Sequence, residues 1–176
     1  MMGYILNYLL KISLFIIFLQ NISFAEIDIQ DIKKNEDGVN VDYKLNFQIN
    51  DELEKLINKG ISIEMTEEVI VHERRKYLPN RQLFKKINII VIEFHPLIKK
   101  YYLKNSVNRS QYDNLNSLVD DLNRVKTIFL DLKIEDKKIY DTQIVWKINE
   151  NSLPKSLQLN IKKQNWLEID QYKFIL

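Results

Sequence analysis

Asn35-Glu-Asp-Gly-Val-Asn-Val-Asp-Tyr-Lys-Leu-Asn-Phe-Gln-Ile49 is the stretch that decides the fold. Val41, Tyr43, Leu45, Phe47 and Ile49 alternate strictly with polar residues, so an extended chain would present all five on one face. Asn35 to Gly38 is turn-like, and Ile27 and Ile29 precede it. The segment therefore reads as a β-hairpin around an Asp-Gly turn.

Downstream, Asp51 opens a short helix with Glu54 as its capping-box partner, Leu53, Leu56 and Ile57 on one face, and Gly60 at the C-terminal cap. Ile61, Ile63 and Met65 restart the alternation. After Glu67-Glu68, the continuous apolar run Val69 to Val71 predicts a bulge or a strand that changes faces. Tyr77-Leu-Pro-Asn80 supplies a turn before the strongest strand, Ile87 to Phe94. Ile89 to Ile92 leaves no polar face there, so this strand is expected to be central and buried on both sides. His95-Pro96 ends it, and Tyr101 to Leu103 returns.

Leu115, Leu118, Val119, Leu122 and Val125 fall on one face of a second helix, N-capped by Asp113 or Asn114. Ile128, Leu130, Leu132 and Ile134 then alternate, as do Tyr140, Ile144, Trp146 and Ile148, around the polar turn Glu135 to Lys138. Ser156 to Ile161 alternates again, and Trp166, Tyr172 and Phe174 follow, with Trp166 and Tyr172 expected on a sheet edge. With only 3 Gly and 3 Pro, no linker or repeat is evident. Seven or eight short strands joined by short turns favour antiparallel pairing. The expected fold is mainly β, an antiparallel β-sandwich with two short inserted helices. The alternative is an α+β fold with the helix from Leu115 to Val125 on a single sheet.

Upstream, Met1 to Ala25 reads as a cleavable export signal: Lys11, the apolar run Ile12-Ser-Leu-Phe-Ile-Ile-Phe-Leu19, then Ser23-Phe24-Ala25 with small residues at the cleavage positions. Cleavage after Ala25 would leave residues 26–176 as a single β-rich exported domain, periplasmic or extracytoplasmic. The competing reading is an inner-membrane anchor over residues 4–19, which Asn7 and Lys11 interrupt. The chain has no cysteine, so neither a disulfide nor a lipidated cysteine can contribute.

Asp37-Gly38, Arg74-Arg75-Lys76-Tyr77, Leu97-Ile98-Lys99-Lys100-Tyr101, Arg124-Val125, Leu153-Pro154-Lys155 and the tail from Trp166 to Phe174 form an ordered set over essentially the whole mature chain. In that order they resemble a family of Gram-negative exported proteins, domain of unknown function 4390. The resemblance implies export and one domain, and it brings no reaction. Lys76-Tyr77-Leu78 stands where the family has a tryptophan-rich stretch.

Catalytic patterns are sparse. His72 and His95 are the only histidines, and metal or acid-base work would require them to meet across a hairpin with Glu73 or Glu93. Neither a Gly-x-Ser-x-Gly turn nor a glycine-rich phosphate loop is present, and Glu67-Glu68 and Asp120-Asp121 are adjacent pairs that diverge. Asn108-Arg-Ser110 matches a glycosylation sequon by pattern only. These residues assign no catalytic role, cofactor or metal site.

Charge is more telling. Residues 26–73 hold 13 acidic and 5 basic residues, a balance of −8, whereas 74–104 holds 9 basic residues against Glu93 alone, a balance of +8. Arg74, Arg75, Lys76, Tyr77, Arg81, Lys85 and Lys86, with Phe84 among them, are the expected binding patch, for an envelope protein partner or an anionic membrane surface rather than nucleic acid. The opposing expectation is that Glu64, Glu67, Glu68 and Glu73 on the neighbouring strand neutralise it. The leading functional reading is a non-catalytic binding domain of the cell envelope. The alternative is a hydrolase with a dispersed His/carboxylate site, and a third is an assembly role that would use an unpaired sheet edge.

Overall fold

A computed structural model describes residues 26–135, 137–155, 158 and 168–176. The export signal, the Ser156 to Ile161 alternation apart from Gln158, and Trp166 lie outside the described residues.

Among the described residues, nine strands form two antiparallel sheets. They are β1 (Ile27–Asn35), β2 (Gly38–Leu45), β3 (Ile63–Glu73), β4 (Arg81–His95), β5 (Lys100–Lys104), β6 (Arg109–Tyr112), β7 (Lys126–Leu130), β8 (Tyr140–Ile148) and β9 (Glu168–Ile175). Among the described residues, the α-helices described in full are α1 (Asp51–Asn58) and α2 (Leu115–Leu122), and a short 3-10 turn spans Glu150–Ser152. The small sheet runs β1-β2-β7 and the large one β6-β5-β4-β3-β8-β9. Their facing sides share one core, in which Val39, Val41, Tyr43 and Leu45 of β2 meet Met65, Val69, Val71, Ile144 and Trp146 of β3 and β8. This is the expected sandwich, with β6 as an additional strand.

The deciding hairpin forms, with Asn35 paired to Gly38 across a turn at Glu36 and Asp37. The glycine is needed for a different reason than the turn. Its φ is not positive, but a Cβ there would lie 2.8 Å from two carbons of the Phe129 ring and collide with the Leu130 carbonyl oxygen. Gly38 therefore lets β7 close against β2. Because the carbonyl cannot swing aside as a side chain can, Gly38→Ala is expected to lower unfolding stability by about 1–3 kcal/mol. Urea denaturation checks this, and an unchanged midpoint would mean that β7 does not approach so closely.

Strand β2 stops at Leu45, short of the full alternation. Beyond it the Phe47 backbone is held by Asn123, whose Oδ1 accepts from the Phe47 N–H and whose Nδ2 donates to the Phe47 carbonyl, both at 2.8 Å. Helix α1 begins one residue earlier than its capping box suggested. Asn50 is the N-cap, accepting from the Leu53 N–H, and Asp51 is the first helical residue. Gly60, at φ 81°, completes a Schellman cap in which its N–H reaches the Ile57 carbonyl and the Ile61 N–H reaches Leu56. Of the two N-cap expectations for α2, Asn114 is the one used. That helix ends at Leu122, which leaves Val125 outside it and exposed.

Of two strand expectations, the bulge or change of face at Val69 to Val71 resolves as a pairing irregularity at the end of that run, and the burial of Ile87 to Phe94 on both sides is corrected. Strand β3 does not change faces, because Ile63, Met65, Glu67, Val69 and Val71 all point inward and the pairing irregularity lies beyond them, between Val71 and His72. Strand β4 is central in its sheet but is not buried on both sides. Ile90 and Ile92 enter the core, while Ile87 and Ile89 lie on the outer face with 51% and 47% of their surfaces exposed.

Candidate functional site

The tip of the β3–β4 hairpin collects most of the expected patch, and the sheet geometry divides it. Arg74 leaves first. Its Nε and NH2 donate to the two Asp141 carboxylate oxygens at 3.1 and 2.5 Å, and that carboxylate raises the guanidinium pKa. Lys85 lies opposite Ile70, on the outer face, and bridges to Glu68 at 2.7 Å; Lys147 reaches the other oxygen of Glu68 at 3.3 Å. These cations, Lys85 first, hold the Glu68 carboxyl below its ordinary range. Lys86 is registered with inward-pointing Val69 and so faces the other side of the sheet. Adjacent strand residues diverge in this way by construction.

What remains at the tip is Arg75, Lys76, Arg81, Tyr77 and Leu78. Among the described residues, no carboxylate forms an ion pair with Arg75, Lys76, Arg81 or Lys86. Lys76 stands 5.3 Å from the Tyr77 ring centroid. Tyr77 and Leu78 are 85% and 62% exposed. Beside them, Ile139 and Ile175 are also exposed, brought to the same end of the sheet by the bond from the Arg74 N–H to the Ile139 carbonyl and by the pairing of Asp141 with Ile175. Neither isoleucine was identifiable as a tip residue from sequence, since that placement depends on strand registers.

The expected neutralisation by β3 carboxylates holds for Glu68 alone. Glu64 accepts from Asn149, and Glu73 faces Lys138 at 3.6 Å. Glu67 is a core residue, 4% exposed. The Tyr43 hydroxyl donates to its Oε1 from across the sandwich and Asn88 Nδ2 donates to its Oε2 at 2.6 Å. Burial, then the Glu67 charge, pushes the Tyr43 phenol pKa well up. Nearby, Lys126 donates to the Leu122 carbonyl with its ammonium 5.3 Å from the Trp146 ring centroid; burial lowers its pKa, opposed by Glu67 and Asp121. Tyr43→Phe would remove one of the two donors that satisfy a buried carboxylate, at an expected cost of about 1–3 kcal/mol. Equilibrium denaturation reads this directly, and equal stability would show that Glu67 does not depend on the phenol.

The two histidines do not meet. His72 pairs with Gln82 near the hairpin tip, whereas His95 lies beyond Ile92 at the far end of β4, about 40 Å away at roughly 3.3 Å per residue. His95 Nε2 is 3.5 Å from Glu93, and His72 lies beside Arg74 and Asp141 in a cleft of about 460 Å³. Among the described residues, no group of three or more His, Cys, Asp or Glu is placed to hold a metal ion. No helix among them is long and apolar enough to cross a membrane.

Comparison with known proteins is decided by one match: residues 23–174 fit the family model described as Domain of unknown function (DUF4390). The chain belongs to this family. The match spans both sheets, the hairpin tip and the inter-sheet carboxylate together. No curated protein and no solved structure matches the chain.

Proposed function

We propose that this DUF4390 protein is an exported, non-catalytic domain of the cell envelope that docks on an anionic membrane surface through the β3–β4 hairpin tip. The observation that carries this reading is the coincidence, at one hairpin tip, of Arg75, Lys76 and Arg81, which have no ion-pair partner among the described residues, and of exposed Tyr77 and Leu78. Long cationic side chains reach phosphate groups while an aromatic ring and a leucine enter the interface between headgroups and acyl chains. Each Lys or Arg near an anionic surface contributes about 1 kcal/mol. The Met1 to Ala25 pattern supports delivery outside the cytoplasm.

The opposite end of β4 offers a natural comparison. Leu97 is fully exposed in the β4–β5 turn and Ile98 lies beside it, but Lys100, the first residue of β5, is paired with Asp113. Cosedimentation with vesicles tests the proposal. Binding to phosphatidylglycerol-containing vesicles and little binding to pure phosphatidylcholine is expected, with affinity falling as salt is raised. Equal affinity for the two compositions would remove the electrostatic basis of the reading, and retention on an acidic extracytoplasmic protein instead would redirect it to a protein partner.

A further inference from the structure

The sheets differ in width, and the mismatch leaves an opening. The small sheet ends at β7, while the large sheet continues through β4, β5 and β6. Helix α2 packs on β5 and β6, and α1 on β4. Between β7 and the β5–β6 loop the inner face of β4 remains accessible, in a cleft of about 320 Å³.

The chemistry of this cleft is unbalanced. Glu67 forms its floor, with both oxygens already engaged by Tyr43 and Asn88. Lys86, which sheet pleating turned away from the hairpin tip, lines the cleft with no ion pair among the described residues. Lys126 lines it too, and an ammonium with three donors has N–H groups left after bonding the Leu122 carbonyl. The Asn105 side-chain oxygen is occupied by the Val107 and Asn108 N–H groups, which leaves its amide nitrogen as a donor, and the Ser106 hydroxyl is adjacent. Two cations and uncommitted donors line the cleft; Glu67 within it has both oxygens engaged, and Asp121 outside it also acts on Lys126.

We infer that this cleft binds a small oxyanion, a molecule carrying a carboxylate or phosphoryl group, held between Lys86 and Lys126. The cleft's size falls at the lower end of small-ligand sites. Ile90, Ile128 and Val107 along its wall suit a ligand with a short apolar body. The site uses none of the tip residues and does not rest on the membrane reading.

The test is an NMR titration of the chain with inorganic phosphate and, separately, with succinate, at constant ionic strength. Saturable shifts are expected at the Asn88, Ser106 and Thr127 amides with at least one probe, and the probe that saturates distinguishes phosphoryl from carboxylate recognition. Because hydrogen bonds to charged groups are the strong ones, Lys86→Gln should weaken binding about tenfold or more. Lys126→Gln should do the same, with its fold verified from the rest of the spectrum. Lys99→Gln should bind as the parent does. Failure of both probes to saturate at millimolar concentrations, or saturation unchanged by Lys86→Gln, would overturn the inference.

Discussion

Trp146→Ala is expected to lower the unfolding free energy by about 3–5 kcal/mol, a large part of what a domain of this size possesses. Trp146 is wholly buried on β8, registered against Glu67 of β3, with the Lys126 ammonium over its ring. It stands where the two sheets meet, so truncation would empty the middle of the core. The same change would remove the ring beneath the Lys126 ammonium and increase the cost of keeping that charge partly buried. Equilibrium denaturation by urea, followed by circular dichroism, gives the difference. A loss below about 1 kcal/mol would be too small for a filled core site and would mean that the sheets do not close over this side chain.

The second large effect concerns binding. Replacing Arg75, Lys76 and Arg81 together with Ser should weaken association with phosphatidylglycerol-containing vesicles about 100-fold, from about 1 kcal/mol per cation. Lys76 and Arg81 are exposed, Arg75 is half-buried, and none of the three forms an ion pair among the described residues, so the denaturation midpoint should change little. Arg74→Ser provides the contrast. Its guanidinium is committed to Asp141, so removal takes little from the surface available to lipid and leaves that carboxylate without its bidentate partner. A triple variant that binds like the parent while Arg74→Ser does not would reverse the assignment of roles at the tip.

Much of the fold was legible because its signals are local. Strict alternation from Val41 marked β2, the apolar spacing from Leu115 to Leu122 marked α2, and Gly60 marked the end of α1. The errors came where a tertiary partner overrode the pattern. Glu67 occupies a core position because Tyr43 and Asn88 satisfy it, so a polar residue in an inward-facing row disguised a strand of unchanged face. Ile87 and Ile89 suggested a doubly buried strand, yet among the described residues no second layer covers their side of β4, and both stay about half exposed. The basic run was visible as composition, but its division was not. That required the registers that send Lys85 and Lys86 to opposite faces and bring Asp141 from β8 to Arg74. The inter-sheet cleft was the least legible feature, since residues 67, 86, 105, 106 and 126 converge from segments far apart in sequence.

Because the chain has no cysteine, a single introduced thiol can report on one position at a time. The decisive measurement places an environment-sensitive fluorophore on Leu78→Cys, at the hairpin tip, and on Leu97→Cys, at the opposite end of β4, and follows each as phosphatidylglycerol-containing vesicles are added. The expected result is a blue shift and loss of quencher access at position 78, with position 97 remaining in water. A shift at 97 with none at 78, or no shift at either while the protein cosediments, would contradict docking through the β3–β4 tip.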